Sequence, residues 1–114
     1  MPMTQLPSGL KYEVLAEGAG IPPSRTDTVT THYRGTLTDG TQFDSSYDRG
    51  QPASFPVNGV IGGWTEALLM MKPGAKWKLE IPANLAYGKA GIPGVIPGNA
   101  TLLFDIELIS VQKR

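Results

Sequence analysis

The sequence contains no cysteine and a single histidine, His32. Without cysteine it can form neither a disulfide nor a thiolate zinc site, and a Cys-His catalytic pair is impossible. A Ser-His-Asp triad would have to use His32. Because side chains alternate between the two faces of a strand, His32 is predicted to point away from Tyr33, toward solvent or the edge of the sheet. This placement argues against a catalytic histidine.

Long apolar runs and an excess charge of either sign are also missing. No apolar stretch approaches the about 18 residues that indicate a membrane-spanning helix, and no signal peptide is recognisable. Lys plus Arg and Asp plus Glu number 10 each, so the formal net charge is 0. These features predict no nucleic-acid partner and no membrane partner. We expect a cytoplasmic protein, or a periplasmic or secreted one if a signal segment has been removed.

Strands are predicted wherever apolar and polar residues alternate with a period of two. In the segment 28–37, one face of the predicted strand carries Val29, Thr31 and Tyr33. Asp39-Gly40 then predicts a two-residue hairpin turn into another strand, which carries Phe43-Asp44. The alternating segments are 10–14, 28–37, 75–81 and 101–111.

One segment has the spacing of a short amphipathic helix. Its apolar face comprises Trp64, Ala67, Leu68 and Met71, at positions i, i+3, i+4 and i+7. Gly62-Gly63 precedes it and Pro73-Gly74 ends it. A single domain of 114 residues with several antiparallel strands and one helix is predicted to be α+β. Residues 83–99, rich in Gly and Pro, are predicted to form a long ordered loop, and long loops are often functional.

Five aromatic residues come from five separate segments of the chain. These residues either form the core or line a pocket. Buried aromatic residues most often serve packing, which favours the core in an arbitrary small domain. Three features favour a pocket: one tryptophan starts the only predicted helix, an aspartate directly follows one phenylalanine, and one tyrosine lies in the Gly/Pro-rich loop. The five residues are Tyr33, Phe43, Trp64, Tyr87 and Phe104.

A set of motifs, in a fixed order, resembles the FKBP family of peptidyl-prolyl cis–trans isomerases. The set runs through Tyr33-Arg34-Gly35, Phe43-Asp44-Ser45-Ser46, Val60-Ile61-Gly62-Gly63-Trp64, Leu85-Ala86-Tyr87-Gly88 and Ala100-Thr101-Leu102-Leu103-Phe104-Asp105. The resemblance covers residues 6–111. It implies an isomerase domain over 6–114, with 1–5 as an N-terminal extension or a junction left by expression. The family's fold is a twisted antiparallel sheet wrapped around one short α-helix, with a pocket between them.

The resemblance also implies a role for each matching residue. Asp44, Trp64, Tyr87 and Phe104 would be the catalytic set, with Trp64 as the floor under the substrate's proline ring. Tyr33 and Phe43 would be further walls, and Val60, Ile61 and Ile96 would form the rim. The Ile61 N–H and the Tyr87 hydroxyl would donate to substrate carbonyls, and Ala86 would contact substrate. Asp44 would be held by Tyr33 and Arg49, unless Asp44–Arg49 is only a structural ion pair. Residues 90–96 would cover the pocket as a flap, and no cofactor or metal is implied.

Within the family, the sequence looks like the bacterial Mip-like branch. Gln51-Pro52-Ala53-Ser54-Phe55 and Leu6-Pro7-Ser8-Gly9-Leu10-Lys11-Tyr12 carry this likeness. That branch often has an N-terminal helical dimerisation domain, which this sequence lacks, so we expect a monomer. Ala53 stands where many members have a phenylalanine, and Ile92 where some have a histidine. The resemblance further implies proline-containing polypeptides and macrolide inhibitors of the rapamycin class as partners.

The function predicted from the sequence is therefore acceleration of X-Pro bond rotation during protein folding. The reaction needs no nucleophile, only an apolar pocket that stabilises a twisted amide. The main alternative is a binding module of the same shape, a chaperone that grips polypeptides with little catalysis. A third possibility is a β-rich domain that binds sugars through exposed aromatic residues, which would show no dependence on proline.

Overall fold

Seven antiparallel strands form one sheet in the computed structural model, which describes residues 3–113. The strands are β1 (Thr4–Gln5), β2 (Lys11–Ala16), β3 (Thr28–Leu37), β4 (Gln42–Ser45), β5 (Ala53–Pro56), β6 (Lys76–Ile81) and β7 (Leu102–Gln112). Their spatial order is β1-β2-β6-β7-β3-β4, and β5 also pairs with β3. The longest ladder joins β3 to β7, from Thr28 opposite Gln112 to Leu37 opposite Leu102.

One main helix, α2 (Gly62–Leu68), packs its apolar side against the inner face of the sheet. Trp64, Ala67 and Leu68 are at most 4% exposed and belong to the same core as Leu79 and Ile106. The predicted α+β class, an antiparallel sheet with one helix, is confirmed. The helix begins at Gly62, so the two glycines form its first turn instead of preceding it.

Five short elements were not predicted from the sequence: α1 (Ser46–Arg49), β1, β5 and two 3-10 helices, Val57–Gly59 and Ala83–Leu85. The one-turn helix α1 follows β4 directly; the Ser45 side chain accepts a hydrogen bond from the Asp48 N–H and caps it. Strands β1 and β5 have 2 and 4 residues. Elements this short carry too few periods for a pattern to indicate them. Strands β1 and β5 form because β2 and β3 offer them a pairing edge. Met1, Pro2 and Arg114, which the predicted domain boundaries include, lie outside the described residues.

The hairpin between β3 and β4 differs from the predicted two-residue turn. The Leu37 N–H donates to the Thr41 carbonyl at 2.8 Å, so the loop has three residues, Thr38, Asp39 and Gly40. A two-residue type I′ turn needs a positive φ at both central positions. Here only Gly40 has one, at 92°. The Asp39 carboxylate accepts a hydrogen bond from the Thr41 N–H at 2.9 Å, which stabilises the longer loop.

A buried carboxylate, Asp27, joins the start of β3 to the end of the chain. It is 2% exposed, and its Oδ2 accepts hydrogen bonds from the Ser24 N–H at 2.8 Å and the Lys113 ammonium at 2.9 Å. The backbone hydrogen bond from Ser24 and the bond from Lys113 lower the pKa of Asp27 from 3.8 to about 2. The ionised form is therefore favoured in the folded chain.

We expect this carboxylate to make the stability depend on pH at the acid end. A pKa that is lower in the folded state contributes stability above the unfolded value of 3.8, and that contribution is lost as the pH falls through about 2. Urea unfolding between about pH 6 and pH 2 should therefore show a steeper decline for the wild type than for Asp27→Asn. Parallel curves for the two proteins would contradict this role of Asp27.

Candidate functional site

A cavity of about 450 Å³ opens between the inner face of the sheet and the start of α2. Strands β3, β4, β5 and β7 supply its sides, and the segment that leads into α2 supplies its rim. Its lining is mostly apolar, as is typical of small-ligand sites. The lining residues are Tyr33, Phe43, Asp44, Phe55, Gly59, Val60, Ile61, Trp64, Tyr87 and Phe104.

Trp64 forms the base of this cavity, and three rings stand on it nearly at right angles. The Tyr33 ring lies 5.0 Å from it at 82°, Phe55 5.5 Å at 86°, and Phe104 5.3 Å at 81°. Edge-to-face pairs of this kind contribute about 0.5–1.5 kcal/mol each beyond burial. The rings therefore hold one another in a rigid, open box. We call this arrangement of Tyr33, Phe55, Trp64 and Phe104 the aromatic box.

Gly35, near the end of β3, lets two of the rings approach each other. Phe43 and Phe104 meet edge to face at 5.5 Å beside Gly35. A Cβ at Gly35 would lie 2.6 Å from the Phe43 ring and 2.7 Å from the Phe104 ring. Glycine weakens a strand, so its presence here reflects the close approach of these side chains. The rings could not keep this packing beside any larger residue.

A hydrogen-bonded polar cluster closes one side of the box. The Tyr33 hydroxyl donates to Asp44 Oδ2 at 2.6 Å, and Arg49 Nη1 donates to Asp44 Oδ1 at 2.5 Å. Arg49 Nη2 also donates to the Tyr33 hydroxyl at 2.9 Å, and the Ser45 N–H donates to Asp44 Oδ1 at 2.9 Å. We call Tyr33, Asp44 and Arg49 the polar triad. Its geometry requires α1, whose single turn brings Arg49 back over Asp44.

The electrostatics of the polar triad keep each member in one protonation state. Burial raises the pKa of Asp44, but the hydrogen bonds from Tyr33 and Arg49 and the Arg49 charge outweigh it, so the pKa lies below 3.8. Burial and the bond to Asp44 raise the pKa of Tyr33 above 10.0. The carboxylate therefore stays ionised and the phenol stays protonated around neutral pH.

Apart from the buried Trp64 Nε1, which has no hydrogen-bond partner, two donors of the lining lack an acceptor within residues 3–113. One is the Ile61 N–H at the start of α2, where the first N–H groups of a helix have no partner inside it. The other is the hydroxyl of Tyr87, a residue that is 39% exposed. An apolar cavity with free donors on its lining can hold an apolar group and orient the carbonyls beside it.

The structure brings most of the predicted site residues together around the cavity. Arg49 does not line it, but holds the wall residue Asp44. Ala86 and Ile96 are also outside the lining. Ile96 was placed on the rim, whereas the structure buries it to 4% exposure in the core, and its backbone pairs with Ile92. The neighbouring Val95, whose side chain is smaller than that of Ile96, is 48% exposed.

Sequence reasoning missed two lining residues, Phe55 and Gly59. Phe55 lies in β5 opposite Val29, so both point to the inner face of the sheet. The alternation of Ala53 and Phe55 with exposed Ser54 and Pro56 was the available signal. Four residues flanked by proline are too few to distinguish this alternation from chance. Pairing with β3 therefore decides that Phe55 belongs to the site.

The single histidine lies on the other face of β3 from the cavity. Its ring stacks on Tyr47 at 4.6 Å, and His32 Nδ1 lies 2.8 Å from the Ser46 hydroxyl. That buried hydroxyl also accepts a hydrogen bond from the Tyr33 N–H at 2.7 Å. Across residues 3–113, no helix is long and apolar enough to cross a membrane, and no cluster of side chains is suited to a metal ion.

Comparison with known proteins identifies the family. Residues 19–109 match the family described as FKBP-type peptidyl-prolyl cis-trans isomerase. The chain belongs to this family. Membership of this family explains why the sequence motifs resemble it. It also explains why the aromatic and polar residues of those motifs surround one cavity.

Relatives of the Mip and FkpA types confirm the predicted bacterial branch. The chain is 55% identical over 109 residues to the peptidyl-prolyl cis-trans isomerase Mip of Coxiella burnetii, covering 96% of this chain and 47% of that protein. It is 55% identical to an FKBP-type 22 kDa isomerase of Escherichia coli, covering 91% and 50%. This FKBP chain therefore spans about half the length of the curated relatives it matches.

Solved FKBP structures have the same fold. The crystal structure of FkpA from Escherichia coli superimposes with a TM-score of 0.93 at 53% identity, covering 96% of this chain and 51% of that one. The crystal structure of AtFKBP13 gives a TM-score of 0.91 at 36% identity, covering 96% and 98%. The second comparison shows that the fold described here forms nearly the whole of another solved FKBP chain.

Proposed function

We propose that this chain is a peptidyl-prolyl cis–trans isomerase that accelerates rotation of X-Pro bonds in polypeptides and so assists their folding. The observation that carries the proposal is the aromatic box, which offers an apolar site for a proline ring beside two free hydrogen-bond donors. Membership of the FKBP family supports it.

The reaction requires stabilisation of a twisted amide, without making or breaking a covalent bond. The barrier of about 18–20 kcal/mol reflects the loss of amide resonance on twisting. The twisted amide has a less polar carbonyl than the planar one, so an apolar cavity that excludes water favours it over the ground state. Each tenfold acceleration needs about 1.4 kcal/mol of such differential binding.

The proposed roles follow from where each group lies around the cavity. Trp64 supports the proline ring, while Phe55, Phe104 and Tyr33 surround it. The Ile61 N–H and the Tyr87 hydroxyl donate to substrate carbonyls on either side of the proline and fix the chain while the bond turns. The polar triad keeps the Tyr33 ring in position as a wall. Val60 and Ile61 make the rim apolar, so an apolar residue before the proline should be preferred.

The Tyr87 hydroxyl is tested most directly by Tyr87→Phe, which removes one oxygen atom. A neutral hydrogen bond contributes about 0.5–1.5 kcal/mol, so kcat/KM should fall about 2- to 10-fold. Tyr47→Phe is the matched control, because Tyr47 is similarly exposed but lies on the other face of the sheet and donates to Glu107. Equal activity of the Tyr87→Phe variant and the wild type would exclude the hydroxyl from catalysis.

The activity itself is tested by the cis-to-trans rate of a Leu-Pro peptide, with and without the protein and with rapamycin. Acceleration that rapamycin abolishes would support the isomerase, its cavity and the proposed macrolide binding. Rapamycin binding without acceleration would favour the chaperone or binding module. If the protein showed neither acceleration nor rapamycin binding, the aromatic box would serve packing alone. Binding of a sugar without any dependence on proline would favour the sugar-binding domain.

A monomeric state and a cytoplasmic location remain proposals from the sequence, with the periplasm or secretion as the alternative to the cytoplasm. Sedimentation of the purified chain tests the first, and fractionation of the source cells tests the second. One of the relatives, from Legionella longbeachae, is named an outer membrane protein. This name gives the fractionation a specific alternative compartment to examine.

A further inference from the structure

A second cavity, of about 420 Å³, adjoins the first one at Val60, which contributes to both linings. Helix α2 separates the two: Trp64 faces the aromatic box, while Thr65 and Glu66 face the other side. We call the second cavity the side cleft. Its lining residues are Arg25, Asn58, Val60, Gly62, Thr65, Glu66 and Leu69.

The side cleft has a polar lining, in contrast to the aromatic box. It contains a guanidinium, an amide, a hydroxyl and a carboxylate. Two of these groups already have partners: the Thr65 hydroxyl donates to the Val57 carbonyl at 2.7 Å, and Glu66 Oε1 accepts from the Ser8 hydroxyl at 2.6 Å. The remaining charged group, Arg25, has no hydrogen bond or ion pair within residues 3–113.

The size of the first cavity sets how far a substrate chain runs before it reaches the side cleft. A sphere of 450 Å³ is about 9.5 Å across, and an extended chain crosses that width in about three residues at about 3.3 Å each. A substrate with its proline on Trp64 that leaves past Val60 would therefore bring its second or third flanking residue to the side cleft. An unpaired guanidinium there is suited to a carboxylate.

We propose that the side cleft is a subsite for an acidic side chain about two or three residues from the proline, with Arg25 as the residue that selects it. This inference rests on the proposed isomerase function. Because Arg25 is exposed, the effect should be modest, about threefold in kcat/KM, as is usual for exposed ion pairs. It should also weaken as added salt screens the pair.

The test compares peptides that share a Leu-Pro centre and carry Glu, Ser or Lys at the second or third position on either side. The wild type should prefer Glu over Ser about threefold on one flank only. The preference should disappear in Arg25→Ala and turn toward Lys in Arg25→Glu. Arg34→Ala is the matched control, since Arg34 is an exposed arginine that does not line either cavity, and it should keep the preference for Glu.

Four outcomes would overturn the proposal. An unchanged preference in Arg25→Ala would exclude the side cleft as its source. An equal loss in Arg34→Ala would assign the preference to the overall field of the protein. Acceleration of every peptide without any charge preference would overturn the subsite alone, whereas no acceleration of any peptide would overturn the isomerase function together with the subsite.

Discussion

Replacing Trp64 by alanine is expected to lower kcat/KM for a Leu-Pro peptide by about 10- to 100-fold. Burial of an apolar group the size of a proline ring is worth about 1.5–3 kcal/mol, and removal of the base of the aromatic box takes away most of that burial. The same substitution should lower the free energy of unfolding by about 3–5 kcal/mol, because Trp64 is 4% exposed and touches three other rings. Isomerase kinetics and urea unfolding measure the two effects.

The second tryptophan separates loss of function from loss of stability. Trp77 is 6% exposed and stacks on Tyr12 at 4.5 Å, but it does not line the cavity. We therefore compare the milder pair Trp64→Phe and Trp77→Phe, both of which should remain folded. Only Trp64→Phe should reduce kcat/KM. If both variants lost activity in proportion to their stability, Trp64 would be a core residue without a role in binding proline.

Replacing Asp44 by leucine is expected to have the second largest effect, a loss of about tenfold in kcat/KM. Without the carboxylate, the Tyr33 hydroxyl and the Arg49 guanidinium lose their shared acceptor. These two groups then have to turn toward water, and the wall of the cavity rearranges with them. The free energy of unfolding should change by about 1 kcal/mol or less, because the Asp44 and Arg49 side chains are 40% and 47% exposed.

Two further variants isolate the cause of that loss. Asp44→Asn keeps the shape of the side chain but removes the charge that Arg49 binds, so its effect should be intermediate. Asp48→Asn is the control, since Asp48 is an exposed carboxylate in α1 and, within residues 3–113, accepts a side-chain hydrogen bond only from Gln42. A tenfold loss in Asp48→Asn would point to general disruption of α1 and contradict a specific role of the polar triad.

The pKa shifts in the polar triad also predict how the wild-type rate varies with pH. The pKa of Asp44 lies below 3.8 and that of Tyr33 above 10.0. No member of the triad therefore changes its charge between about pH 5 and pH 9. The value of kcat/KM should be flat across this range, whereas general acid or base catalysis would give a bell-shaped profile.

The sequence was most informative where a pattern is long or a motif is specific. Strand β3 has ten residues, and its predicted bounds agree with the structure. The helix was recognised from the apolar spacing of Trp64, Ala67, Leu68 and Met71. The family motifs identified most of the cavity lining, because those residues surround the same cavity. In each of these cases the signal lies within a continuous stretch of the chain.

The remaining features depend on contacts between distant parts of the chain. Phe55 enters the aromatic box because β5 pairs with β3, and Arg49 reaches the polar triad because α1 forms a single turn after β4. Ile96 was predicted to lie on the rim, yet it is buried, since the core can accommodate its side chain and leaves Val95 exposed. Packing against distant parts of the chain decides where these side chains lie. A segment of four or five residues is too short to show a pattern that would predict it.

The sequence by itself therefore determined the α+β class, through the periodicity of its strands and helix, and the family, through a set of motifs that resembles it in a fixed order. It excluded thiol chemistry and left only His32 for imidazole chemistry. Only the tertiary structure decided the shape of the aromatic box and the position of the side cleft next to it. The shape of the box depends on the contacts of Trp64 with three other rings, and the position of the cleft depends on Val60, which lines both cavities. Both involve residues that lie far apart in the chain.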